Sequence, residues 1–444
     1  MLKRKVERTL DEWKKSKYGL LIDGARQIGK SYIIRYYLEK NFENFVELNL
    51  LENKRAVSVL SQANDSKDFM LRLSSLIDSP LEKGKTAIFL DEIQEFKNFD
   101  IITMSKFLVE SGEYRFVFSG SLLGIEQYGI DSWPEGYMML ERMYPLDFEE
   151  FLWANNVSKK IIDVVRECYE NKSIVPDYIH EKFIDMFRKY LLVGGMPDAI
   201  NTFLETNDFN QVALSHKVIE QYYKNDVVKY ASENDKILIK TMYDLIPSEL
   251  NSQSKRFKLA DIPNLKRNEN LGLSFGWFTK AGIAIPTYNV NELSVPLELA
   301  SNRRLVKLFH ADTGILTYLM MNPETKKGIL DHGIDIHFGA IYENAVAEMI
   351  TANGYERLYY YSKKGIGEVD FIIEDGNKIV PIEVKSGKDY DRHSALNNFL
   401  RNDHFNKNIA YAIVLSNENV KVSGTDDAFD SKIIYLPIYM AMFI

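Results

Sequence analysis

Cysteine is almost missing from this chain: Cys168 is the single one in 444 residues. That excludes an internal disulfide framework and any zinc site built on several thiolates. Histidine is scarce too, with seven residues scattered along the chain and no metal-ligand spacing among them. No apolar run approaches the roughly 20 residues that span a bilayer. The start, Met1-Leu2-Lys3-Arg4-Lys5, leads into an amphipathic helix pattern over Met1 to Lys17 and not into a secretory apolar core. Its stripe is Leu2, Val6, Leu10 and Trp13. A cytoplasmic location is the expectation, with no membrane partner. A large excess of one charge is also lacking. The net charge is −8, and only residues 241–310 are basic, with 9 Lys and Arg against 6 Asp and Glu. An anionic partner is expected to dock there.

The length is too great for one ordinary core and implies two to four domains. The most informative stretch is Gly24-Ala25-Arg26-Gln27-Ile28-Gly29-Lys30-Ser31, which reads G-x-x-x-x-G-K-S, the P-loop or Walker A pattern. The apolar run Gly19-Leu20-Leu21-Ile22 precedes it, and Ile33, Ile34, Tyr37 and Leu38 follow at helical spacing. The loop therefore sits between a buried strand and a helix. Gly24 and Gly29 allow the backbone close to phosphate oxygens, and the loop amides and helix N-terminus present partial positive charge to the anion. Lys30 would reach the β- and γ-phosphates, and Ser31 would complete the shell of a Mg²⁺ ion. ATP and Mg²⁺ are the expected ligands.

A strand at Phe45 to Leu50 is followed by Ala87-Ile88-Phe89-Leu90, which runs into Asp91-Glu92, the Walker B pattern. Asp91 would hold Mg²⁺ through water, and Glu92 would take a proton from the attacking water. A fourth strand, Arg115 to Phe118, ends in Ser119-Gly120-Ser121. In ATPases with a catalytic glutamate an extra strand lies between the P-loop and Walker B strands and carries a polar sensor; Ser119 or Ser121 would fill that role. A Gly-Ser turn is the other reading.

The loop Gly24 to Ser31, the strand end Phe89-Leu90-Asp91-Glu92-Ile93-Gln94, Ser119-Gly120-Ser121-Leu122 and Tyr144-Pro145-Leu146-Asp147-Phe148-Glu149-Glu150-Phe151-Leu152 together resemble a family of prokaryotic AAA+-type ATPases with an uncharacterised C-terminal region. Leu192-Val193-Gly194-Gly195-Met196-Pro197 is similar to it as well. The resemblance implies an ATP-binding core, a helical and winged-helix middle and a nuclease-like fold at the end. Arg142 is either a charge-stabilising arginine, in cis or in trans, or a surface residue.

From Val157 to about Lys240 the pattern is helical, with a stop and turn at Gly194-Gly195 before a helix at Asp198. Core packing accounts for Tyr222 and Tyr223. Residues 241–310 read as helices followed by a strand pair, Ile283 to Pro286 and Leu305 to Phe309, behind the basic segment Lys255-Arg256-Phe257-Lys258. That order resembles a winged helix. Lys266, Arg267, Arg303, Arg304 and Lys307 would add to a basic surface for nucleic acid if they share a face; a protein-contact module is the alternative.

Near the end, a helix over Phe338 to Ile350 carries Glu343, Glu368 to Ile373 alternate as a strand around Asp370, Asp375-Gly376-Asn377 turns, and Ile379 to Lys385 returns with Glu383 and Lys385. This order is similar to the D…E-x-K arrangement of PD-(D/E)xK nucleases. Glu383 and Lys385 share a strand face, and Asp370 joins them if the turn keeps an even number of residues. Asp370 and Glu383, with Glu343, would bind Mg²⁺ or Mn²⁺, while Lys385 orients the attacking water or offsets charge on the phosphate.

The expectation is an α/β multidomain protein: a P-loop parallel-sheet ATPase core (1–155), a helical lid (156–240), a winged helix (241–325) and a C-terminal α/β nuclease-like domain (326–444). ATP and DNA are the expected partners, with a protein partner and an oligomer left open. Two functions compete: an ATPase with a metal-dependent nuclease domain, and a signalling or scaffold ATPase whose C-terminal domain binds DNA or protein without cleaving.

Overall fold

Strands buried on both faces read as continuous apolar runs, and a parallel sheet needs a crossover between neighbours. In the computed structural model, which describes residues 2–97, 99–121, 136–231, 235–252, 255–257, 271–331, 339–387, 389–422 and 433–444, the first runs behave accordingly. The chain divides into two compact units, Lys3–Tyr144 with Lys280–Gly282, and Pro145–Thr279 with Ile283–Ile444.

The first unit begins with α1 (Glu7–Lys15), which buries Leu10 and Trp13. The helix starts six residues later than the sequence pattern suggests, because Arg4 is drawn away to backbone carbonyls. Then come β1 (Gly19–Asp23), α2 (Lys30–Asn41), β2 (Asn44–Asn49), α3 (Lys54–Leu60), α4 (Ser66–Ser74), β3 (Thr86–Asp91), α5 (Ile101–Glu110), β4 (Arg115–Gly120) and β5 (Met138–Arg142). Asn53, Asp65 and Asp100 cap α3, α4 and α5 by accepting backbone N–H groups. All neighbouring strands are parallel, in the order β2-β3-β4-β1-β5. The strand of Ser119 thus lies between the P-loop strand and the Asp91 strand. On one side of the sheet Leu21, Ile88, Leu90, Phe116 and Phe118 pack with Phe69, Leu73, Ile101 and Leu108.

The second unit opens with helices: α6 (Phe148–Ala154), α7 (Lys159–Asn171), α8 (Asp177–Val193), α9 (Pro197–Thr206), α10 (Phe209–Tyr230), α11 (Lys236–Leu250) and α12 (Leu271–Ala281). A capping box between Asp147 and Glu150 starts α6, which explains those acids in the Pro-Leu-Asp-Phe-Glu-Glu stretch. Tyr223 is core, as the pattern implies, but Tyr222 is 38% exposed. The turn after α8 does more than stop a helix. Gly194 has φ +78°, and a Cβ on Gly195 would lie 2.1 Å from the carbonyl oxygen of Leu146. The Gly195 amide donates to Asp312 at 2.6 Å, the Leu146 amide donates to the Gly195 carbonyl at 2.7 Å, and Lys326 donates to the Leu192 carbonyl at 2.6 Å.

The remaining elements are β6 (Ala284–Val290), β7 (Ser301–His310), α13 (Thr313–Met320), α14 (Pro323–Leu330), α15 (Gly339–Ala352), β8 (Leu358–Lys363), β9 (Gly367–Asp375), β10 (Lys378–Val384), α16 (Ser394–Arg401), β11 (Ala412–Ser416), β12 (Lys421–Val422) and β13 (Ile433–Pro437). They build one mixed sheet of eight strands, β12-β13-β11-β10-β9-β8-β6-β7. The pair expected to close a winged helix therefore extends the C-terminal sheet: β6 pairs antiparallel with β7 and parallel with β8. Of the basic residues, Lys307 does not join a surface. Arg303 and Arg304 are exposed, Lys307 is fully buried, and Lys258, Lys266 and Arg267, like Phe338, lie outside the described residues. Among the described residues no helix is long and apolar enough to cross a membrane.

Candidate functional site

The loop after β1 has the backbone its residue types require. Gly24 sits at φ +150° and Gly29 at +90°, and a Cβ on Gly24 would come within 2.3 Å of the Met143 carbonyl oxygen. Gln27 holds a left-handed φ of +65° without being glycine. Arg26 and Ile28 flank it, and Arg4 donates from one guanidinium nitrogen to the Ile28 carbonyl at 2.8 Å and from the other to that of Tyr144 at 2.6 Å. Arg4, unnoticed in the sequence, ties the loop to the chain leaving β5. Lys30 opens α2 and points back into the loop, its ammonium donating to the carbonyls of Gly24 and Ala25 at 2.8 and 2.7 Å. Burial lowers its pKa below the ordinary lysine value, against the attraction of Glu92, Asp23 and Asp91. An ammonium held by two weak carbonyl acceptors is ready to exchange them for phosphate oxygens.

Asp91, at the end of β3, gathers three polar side chains. Ser31 Oγ donates to Asp91 Oδ1 at 2.9 Å, Ser119 Oγ donates to the same oxygen, and Asn49 Nδ2 donates to Oδ2 at 3.1 Å. Burial pushes the Asp91 carboxyl above the usual carboxylate range, opposed by the two serine hydrogen bonds. Glu92 follows in a left-handed conformation, φ +60°, which costs a non-glycine residue roughly 1–2 kcal/mol. Gln94 donates to its carboxylate, and the amide of Ser121 donates to Gln94 Oε1 at 3.2 Å. Of the two sensor candidates, the Ser119 side chain meets Asp91, whereas Ser121 acts through its backbone on Gln94. Asn49 was missed because nothing in its local sequence marks it and only the pairing of β2 with β3 puts it beside Asp91; Gln94 was read as part of the motif, but not its bond to Glu92. Arg142 ends β5 opposite Asp23, and its guanidinium lies 3.1 Å from the Asp23 carboxylate. Its charge is paired with that buried acid.

Mg²⁺ fits here. It binds proteins through one or two carboxylates together with substrate phosphates, and the adjoining Ser31 hydroxyl and Asp91 carboxylate are such a partial shell.

The C-terminal residues converge as well. Ile382 pairs with Phe371 across β9 and β10, so Glu383 stands opposite Asp370 on one face. Val384 N donates to Asp370 Oδ2 at 2.9 Å, and Lys385 Nζ donates to Glu383 Oε1 at 2.7 Å. Glu343 projects from α15 and pairs with Lys255. The residue at the centre is one the sequence pattern assigned to a basic surface. Lys307, on β7, has its ammonium 2.7 Å from Glu368, 3.7 Å from Glu343 and 3.9 Å from Asp370, over the ring of Tyr360 at 4.9 Å. Burial alone would lower the Lys307 pKa, but the three carboxylates outweigh it and hold it above the ordinary lysine value. Glu383 is pushed up to about 8 by burial and by Asp370, against Lys385. Glu343 is raised by burial and Asp370, against Lys307 and Lys255.

A divalent ion held by Glu343, Asp370 and Glu383 does not fit this arrangement, contrary to expectation. The ammonium of Lys307 lies among the oxygens the metal needs, and two like charges at 4 Å repel by about 4 kcal/mol per unit charge at an effective dielectric near 20. Among the described residues no group of three or more His, Cys, Asp or Glu side chains could hold a metal ion.

A family model described as an AAA domain matches residues 16–152. Two models described as domains of unknown function, DUF8612 and DUF4143, match residues 184–326 and 338–439. Residues 16–152 thus form an AAA P-loop ATPase domain. An uncharacterized protein of Haemophilus influenzae is 23% identical over 388 residues, covering 84% of each chain. Among solved structures, a Walker-type ATPase of Pyrococcus abyssi aligns with 72% of this chain and 96% of its own, at 13% identity and a TM-score of 0.42. Drosophila ORC bound to DNA aligns with 74% and 94% (11%, 0.25), and Cdc6p from Pyrobaculum aerophilum with 76% and 97% (11%, 0.22). Scores this low carry nothing further about the present chain.

Proposed function

We propose that this AAA-type chain binds and hydrolyses ATP at the Gly24–Ser31 loop and that its C-terminal domain is directed at nucleic acid, without cleaving it. The observation that carries the ATPase reading is the meeting of Ser31 and Ser119 on one oxygen of Asp91, with Lys30 opening the next helix. Mg²⁺, when bound with the nucleotide, neutralises charge developing on the phosphates. The loop amides from Ala25 to Lys30 hold the phosphates, Lys30 transfers its hydrogen bonds from the two carbonyls to phosphate oxygens, and Ser31 and Asp91 hold the metal shell. Glu92 leaves Gln94 to take the proton of the attacking water. Ser119 joins Asp91 to the phosphate side of the sheet.

Phosphate release separates these roles. Lys30→Ala is expected to abolish nucleotide binding or lower turnover about a hundredfold or more. Glu92→Gln is expected to bind ATP as tightly as the wild type and lose turnover by roughly a hundredfold or more. Unchanged hydrolysis in Glu92→Gln rules out Glu92 as the base.

For the C-terminal domain, the arrangement of Asp370, Glu383, Lys385 and Glu343 on a hairpin and helix supports the nuclease-like reading. The buried Lys307 counts against metal-dependent cleavage. Plasmid nicking with Mg²⁺ or Mn²⁺ is expected to be absent from the wild type, Lys385→Ala and Asp370→Ala alike. Nicking by the wild type that either variant abolishes restores the metal-dependent nuclease.

A further inference from the structure

We propose that Lys307 is a built-in competitor for divalent cations, occupying the position a metal would need between Glu343 and Asp370 and closing the C-terminal site to Mg²⁺ and Mn²⁺. The proposal rests on the nuclease-like reading of that site and adds to it the identity of the resident cation.

The oxygens can be followed one at a time. Glu343 has Lys255 on Oε1 and Lys307 3.7 Å from Oε2. Asp370 receives the Val384 amide on Oδ2 and faces Lys307 at 3.9 Å with Oδ1. Glu383 gives Oε1 to Lys385. The one oxygen of these carboxylates with neither a hydrogen bond nor a neighbouring ammonium is Glu383 Oε2, which is buried. A single free carboxylate oxygen does not supply the several oxygen ligands a hard divalent ion takes.

Lys307 cannot simply swing away. It lies in the buried run Val306 to His310 of β7, opposite the fully buried Thr287, and its side chain has no solvent exposure. Leaving would leave Glu343, Glu368 and Asp370 facing one another with less compensation. Lysine therefore does electrostatically what a metal would do, but without a metal's ability to bind and acidify water.

The test uses the full chain without nucleotide and Mn²⁺ alone, followed by the loss of the free Mn²⁺ paramagnetic resonance signal. Wild type and Asp370→Asn are expected to show the same weak binding, with no Asp370-dependent site tighter than about 1 mM. Lys307→Met is expected to gain a site at least about tenfold tighter, which Lys307→Met combined with Asp370→Asn loses again. Lys307→Arg keeps the charge and is expected to gain nothing. Wild-type binding that Asp370→Asn removes overturns the proposal, whether or not Lys307→Met folds. So does a folded Lys307→Met with no new site. Nucleic-acid binding, read by fluorescence anisotropy on the same wild type, reports separately on the parent reading: its absence beside the expected Mn²⁺ result removes the nucleic-acid role and leaves the competitor in place.

Discussion

At the scale of single residues, Gln94 decides where Glu92, the proposed base, waits. It donates to Glu92 and is itself held by the Ser121 amide, so a change at the end of β4 reaches Glu92 through one side chain. Gln94→Ala is expected to lower kcat by roughly ten- to a hundredfold with little change in KM for ATP, because it loosens a positioned base without touching the phosphate grip. A purely structural role would lower the melting temperature and leave that split unseen. Glu383 offers a pH test. Its folded-state pKa, about 8, lies above the ordinary value of 4.5, so its contribution to stability is complete below about pH 4.5 and is lost as pH rises toward 8. The second unit is expected to lose stability over that window, and Glu383→Gln to flatten the loss, in urea titrations at several pH values. The P-loop residues were legible because a local backbone fixes each type: Gly24 and Gly29 for their φ angles, Lys30 and Ser31 for the first turn of α2. Lys307 was not, since Arg303, Arg304 and Lys307 look alike in sequence and only the course of β7 buries the third.

At the scale of elements, the hairpin of β9 and β10 was readable, and so was the pair of β6 and β7, but not the sheet that pair joins. Asp375 pairs with Lys378, which leaves Gly376 and Asn377 as a two-residue turn and brings Asp370 and Glu383 to one face. That follows from neighbouring residues alone. The partner of β6 is β8, joined through Thr287 and Leu358, a pairing across 71 positions that no local pattern announces. An antiparallel pair read by itself looks the same whether it closes a winged helix or extends a sheet. The Gly194-Gly195 turn was seen as a helix stop, but its need for glycine comes from Leu146 and Asp312. Gly195→Ala is expected to cost about 2–3 kcal/mol in chemical denaturation of the second unit, since the new methyl meets backbone and not a movable side chain.

At the scale of the whole molecule, the two compact units divide the chemistry between them. The proposed nucleotide residues Gly24 to Ser31, Asp91, Glu92 and Ser119 fall in the first, and Glu343, Asp370, Glu383 and Lys385 in the second. Calorimetry is expected to show more than one transition, with Mg·ATP raising only the first unit's, by about 2.7 kcal/mol at a hundred times Kd. Glu92→Gln keeps that shift and Lys30→Ala loses it.

The contact between Leu146 and Gly195 reaches further than stability. Two short segments that look unrelated in the sequence share one backbone crossing, each exchanging a carbonyl or amide with the other at a separation no side chain can enter. Neither segment can drift alone under mutation. Across descendants of a common ancestor, the two are expected to persist together or decay together, whatever happens to the nucleotide loop.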